Sequence, residues 1–130
     1  MLLLALITLS GAVMVYGRIG ETQAQCDQRY GTAVGTQKNG EVLYAKNGFL
    51  IGITFTDDIC TGVFYAKRDG VNLSDEELQE LLAANSNNGR RIWQVFGEGV
   101  WTSSDGLIAT VDGDALTIEP RQRPSALRGF

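Results

Sequence analysis

The chain predicts an α+β domain, with two short helices packed on one face of an antiparallel meander sheet. Three observations carry this. The order of local patterns reads helix, three strands, helix, then three strands and a short fourth, so one α-β-β-β unit is written twice in architecture. Residues 74–77, Ser-Asp-Glu-Glu, form a capping box ahead of Leu78, Leu81 and Leu82, which fall at helical spacing. Asn-Gly pairs at Asn39-Gly40 and Asn47-Gly48 flank runs rich in β-branched and aromatic residues, the signature of hairpins. A meander of this size cannot bury its apolar face alone, so the helices are expected to cover it.

Taken in order, residues 1–16 are uncharged and strongly apolar, and the first charge is Arg18. A spanning helix needs about 20 residues, so the run fits the apolar region of a secretory signal better. Cleavage is expected after Gly17, with residues 10–12 (Ser-Gly-Ala) as the second candidate. No Lys or Arg precedes the run, and an uncleaved anchor is the alternative. The sequence thus divides into a signal peptide (1–17), a single α+β domain (18–119) and a flexible C-terminal tail (120–130) that opens on Pro120 and also holds Pro124.

Within the domain, residues 22–30 read as a helix with Thr22 as N-cap and Gly31 as its stop. Residues 33–40 read as loop. Strands are expected at 41–46, 49–55 and 60–66, with a turn at 56–59. The second helix begins after Ser74 and ends at 85–89. Strands at 91–96, 99–102, 107–111 and 115–118 follow, with 103–106 and Asp112-Gly113-Asp114 as turns.

Composition removes several function classes. The net charge is −4, from 11 basic and 15 acidic residues, which disfavours nucleic-acid binding. The chain has no histidine, so Ser-His-Asp and Cys-His mechanisms are absent. Two cysteines, Cys26 and Cys60, fall short of a metal site. In an exported chain they predict a disulfide. Closing a loop of about 35 residues, that bond stabilises by roughly 3–4 kcal/mol. The alternative is a pair of reduced core thiols. No cofactor and no metal is expected.

Two acid pairs, Asp57/Asp58 and Asp112/Asp114, are the candidates for histidine-independent hydrolysis, but both fall at turns, where Asp serves the backbone. Asp105, Asp112 and Asp114 do not form an EF-hand loop. Gly97-Glu98-Gly99 is not followed by a helix signal and is no phosphate-binding motif. Trp93 and Trp101 lie on adjacent expected strands. They either cover the core or belong to an exposed recognition face, since Trp is favoured as an interface anchor. Alternation puts Trp93 with Val95 on one face, and Ile92 with Phe96 on the other.

One set of residues carries a resemblance. Gly20-Glu21-Thr22, Cys26, Arg29-Tyr30-Gly31, Tyr44, Gly48-Phe49, Phe55, Cys60, Ala66-Lys67-Arg68-Asp69-Gly70 and Leu73-Ser74 are spread over residues 18–118. In these the chain resembles a family of small, uncharacterised bacterial exported proteins of planctomycete and verrucomicrobial type, a likeness that implies no activity. More loosely, a helix ending in Tyr-Gly before a three-stranded meander is similar to the β-lactamase-inhibitor-protein and outer-membrane-assembly lipoprotein folds. That likeness rests on element order and implies protein–protein binding. The assembly lipoproteins carry a lipidated cysteine after the signal, and this chain does not. The sequence is therefore read as a secreted or periplasmic, non-catalytic interaction module. Its partner is expected to be an envelope or extracellular protein, with membrane contact only if the N-terminal segment stays uncleaved. A small hydrolase using carboxylates is the alternative.

Overall fold

A computed structural model describes residues 18–121. The expected signal peptide (1–17) and nearly all of the expected tail lie outside the described residues. No described helix is long and apolar enough to cross a membrane. The elements are α1 (Gln23–Tyr30), β1 (Gly35–Thr36), β2 (Val42–Lys46), β3 (Phe49–Thr56), β4 (Ile59–Lys67), α2 (Asp75–Ala84), β5 (Trp93–Gly97), β6 (Val100–Ser103), β7 (Leu107–Asp112) and β8 (Ala115–Pro120). Among the described residues the fold is α+β: two helices and one open, all-antiparallel sheet of eight strands, in the order β1-β2-β3-β4-β8-β7-β6-β5.

Local chemistry explains the boundaries. Both helices start on capping boxes: Thr22 with Gln25, and Ser74 with Glu77. Gly31, at φ 86°, ends α1. The β2–β3 turn has Asn47 and Gly48 at φ 52° and 80°, the left-handed pair of a type I′ hairpin. Asp57 and Asp58 turn β3 into β4 in the same way, at φ 52° and 67°. β1 falls within a segment expected to be loop. At two residues it is too short to leave a periodic signal, and only pairing with β2 makes it a strand. Pro120 closes β8 rather than opening the tail.

Each helix with the four strands that follow it forms half of the sheet, and the halves meet at β4 and β8, where Val63 pairs Ile118 and Tyr65 pairs Leu116. Pleating sorts the side chains. Along one face run Val42, Ile53, Val63, Ile118, Ala109 and Trp101, and beside them Tyr44, Ile51, Tyr65 and Leu116. The helices supply Cys26, Tyr30, Leu78, Leu81 and Leu82 to this same cluster, so both helices lie on that face. Tyr30 and Tyr44 stack with ring centroids 5.2 Å apart, and the Tyr44 hydroxyl donates to Asp27 Oδ1 at 2.5 Å. At the far end of α2, Asn85 is 1% exposed; its amide donates to the Tyr65 hydroxyl and the Leu81 carbonyl and accepts from the Ile19 amide. One side chain thus locks α2, β4 and the N-terminal approach together.

The expected disulfide does not form. Cys26 and Cys60 are free, fully buried thiols inside the core cluster. Backbone pairing already does what the disulfide was expected to do. Thr22 bridges Ile59, Gly20 N–H donates to Cys60 C=O, and Cys60 N–H donates to Glu21 C=O, so the approach to α1 is laced to the start of β4. Burial pushes both thiols up to about 12, helped at Cys26 by the nearby Glu21 carboxylate and at Cys60 by its proximity to Cys26. The thiols act as small apolar core residues, with Cys60 Sγ donating to the Gly62 carbonyl at 3.5 Å.

Candidate functional site

The two acid pairs separate in space. Asp57 and Asp58 sit in the β3–β4 turn, and Asp112 and Asp114 flank the β7–β8 turn. Because β8 runs antiparallel to β4, those turns are at opposite ends of β4, about 25 Å apart at the usual strand rise. A glycosidase pair needs carboxyl groups within roughly 10 Å. Asp58 Oδ1 instead accepts from the Gln23 amide at the start of α1. Asp105 is held by Arg91 and by the Ser103 hydroxyl; burial works against its charge, but those hydrogen bonds outweigh it and hold the carboxyl below its ordinary value. Among the described residues, no three His, Cys, Asp or Glu side chains come together as a metal site.

Trp93 and Trp101 both lie on the helix-bearing face, partly buried against the core cluster. The Trp93 indole N–H donates to the Leu82 carbonyl at 3.0 Å, satisfying a carbonyl in the last turn of α2. Trp101 packs against the same cluster, and both rings keep part of their surface in solvent.

Two other surfaces are left without cover among the described residues. The first is the outer face of the sheet. Leu43, Gly52, Phe64, Thr117 and Thr110 run across it in one row, and Ala45, Leu50, Ala66 and Ala115 in the next. Leu43, Leu50, Phe64 and Thr117 are half-buried only by their own neighbours, and Thr110 is exposed. The row passes over Gly52 because the Glu41 carboxyl lies there: a Cβ at position 52 would come within 2.6 Å of it. Gln37 Nε2 holds that carboxyl from the side at 2.7 Å. The result is an eight-strand apolar and threonine-rich face with Glu41 set into its first half.

The second surface is the β5 edge. Ile92 is 55% exposed, Val95 74% and Phe96 60%. The Arg121 guanidinium stands 4.8 Å over the Phe96 ring. Alternation gave the faces of Ile92, Trp93 and Val95, but a bulge between Val95 and Gly97 interrupts it at Phe96. The outer face was not read from the sequence as a site.

No family model, curated protein or solved structure matches this chain.

Proposed function

We propose that this chain is a non-catalytic protein-binding module, exported to the periplasm or cell exterior and associated with an envelope or extracellular protein through the outer face of its sheet. The observation that carries the reading is one-sided cover. Both helices pack on one face, while the opposite face of the eight-stranded sheet presents Leu43, Leu50, Phe64 and Ile108 among threonines. A continuous, partly apolar face on a small domain is the kind of surface that marks an interaction site. The apolar run at residues 1–16 supports the address.

The test is capture from envelope extract by the full chain, compared across variants. Thr110→Arg with Thr117→Arg places two cations at the centre of the outer face, and binding of the captured partner is expected to fall at least about tenfold, as for a central interface position. Glu76→Arg, on the exposed side of α2, is expected to leave capture unchanged. Equal capture by both variants contradicts the reading. Intact mass of the protein recovered from cells tests the address, since cleavage after Gly17 leaves a chain that begins at Arg18.

A further inference from the structure

Charge is sorted between the two faces of the sheet. Among the described strands the lysines are Lys46 and Lys67, and both stand on the helix-bearing face, in register with buried Phe49. Lys67 is used there, donating to Glu77 of α2. On the outer face the ionisable strand residues are acids: Asp112 opposite Ala115, and Glu119 opposite Ile108. Arg121, just past β8, is turned to the Phe96 ring. A surface that is apolar, threonine-rich and acidic repels anionic lipid and nucleic acid, and it complements a cationic protein segment.

The sheet is built around one further acid, Glu41. It precedes β2, and its side chain lies across β3, where a Cβ on Gly52 would come within 2.6 Å of Cδ and 2.7 Å of Oε2. Glycine inside a strand weakens it, and marks a place where another group comes close. Here that group is a carboxylate. Gln37 Nε2 donates to Oε1 at 2.7 Å and holds the carboxyl in place. No ion pair of the described residues includes Glu41. The cross-strand neighbours of Gly52 are Leu43 and Phe64, both half-buried. An aromatic ring thus stands one strand, about 5 Å, from the glycine over which the acid lies.

Resting on the outer face as the binding surface, we infer that Glu41 is its specificity anchor and accepts an arginine side chain of the partner protein. The carboxylate matches the two parallel N–H donors of a guanidinium. Phe64 gives that planar cation a ring to stack on. Leu43 and Leu50 flank the site and lie where the apolar stem of the arginine would be covered. Apolar surroundings lower the local dielectric and strengthen the pair beyond a fully exposed one. Lysine has the charge but neither the fork nor the plane. The occupant this defines is an arginine set between apolar residues.

Two synthetic peptides test the anchor on the full chain. One is acetyl-Val-Arg-Val-amide, and the other carries citrulline, a neutral isostere of arginine, at its centre. Binding is read by NMR titration from the Gly52 backbone amide and the Gln37 side-chain amide. The arginine peptide is expected to bind about tenfold more tightly than the citrulline peptide, with a lysine peptide between them. Glu41→Gln keeps the shape without the charge and is expected to erase that preference. Gly52→Ala is expected to weaken it too. The new Cβ meets only the far end of a flexible side chain, so the strand holds and the carboxyl is pushed off the face. Glu119→Gln, at an exposed acid of the same face, is expected to leave the preference unchanged. A far-UV spectrum checks that each variant folds. Equal binding of the arginine and citrulline peptides, no binding of either, or lysine equal to arginine overturns the inference. So does a loss of preference in Glu119→Gln as large as in Glu41→Gln. If partner capture still falls in the Thr110→Arg, Thr117→Arg variant, those results leave the outer face as a binding surface that does not work through Glu41. Capture unchanged in that variant removes the outer-face reading itself.

Discussion

The two units, each a helix followed by four strands, share an element order but differ in how they finish. The first closes itself. α1 lies over β2, its approach is laced to β4, two buried thiols and a tyrosine pair fill its core, and its outer edge shrinks to β1. The second begins on a stronger helix, with Leu78, Leu81 and Leu82 buried, yet its strands grow more exposed with distance from the seam, until β5 is almost bare. The contrast shows how two units of like order can differ in burial: the half with long central strands holds most of the buried core, and the half that ends on β5 leaves its edge bare.

Four measurements sharpen or break that contrast. The largest effect is alkaline. Both thiols belong to the first unit and both are pushed up to about 12 from an ordinary 9.0 by burial. A raised folded-state value means that the stability is fully present below about pH 9 and lost as pH rises toward 12. Urea midpoints across this range are expected to fall steeply, and more gently in the Cys26→Ala, Cys60→Ala double variant. Equal slopes would mean that the buried thiols do not set the first unit's response to pH.

Next comes burial at the seam against burial at the edge. Leu116, fully buried opposite Tyr65, is expected to cost about 3 kcal/mol on replacement by alanine, and Val95→Ala no more than about 0.5. Thermal unfolding of the two variants reads the difference directly. A similar loss at both sites would show that the edge is part of the core.

The helix caps separate the units more finely. Thr22→Ala and Ser74→Ala are each expected to cost about 1 kcal/mol. Only the second box ionises: Glu77 is held below its ordinary 4.5 by hydrogen bonds from the Ser74 backbone and from Lys67. With a lowered folded-state value, its contribution is present above about pH 4.5 and lost as pH falls through the folded value. Gln25 fills the same place in the first box and does not titrate, so acid is expected to narrow the cost of Ser74→Ala and leave that of Thr22→Ala unchanged.

Much of the architecture was legible because it is local. Capping boxes, Asn-Gly turns and the Asp57-Asp58 turn declare themselves within a few residues, and every strand but β1 was expected within a few residues of its place. What stayed hidden is non-local. Nothing in a single strand says that β4 meets β8. The disulfide was misread because cysteine count speaks to compartment, whereas Cys26 and Cys60 lie in a core where two small apolar side chains suffice. The tryptophans drew notice as large aromatics, and both pack partly against the core cluster, Trp93 also bonding the Leu82 carbonyl of α2. Phe96 is 60% exposed, beside a bulge that no alternation pattern reveals. The outer face was invisible because its residues read, one at a time, as ordinary strand.

The most direct test of this contrast is amide hydrogen exchange along β5. The Trp93 and Val95 amides, which point out of the sheet at its edge, are expected to exchange far faster than those of Gln94 or of β4. Protection of Trp93 and Val95 equal to that of β4 would contradict the account, because it would mean that the second unit's edge is closed.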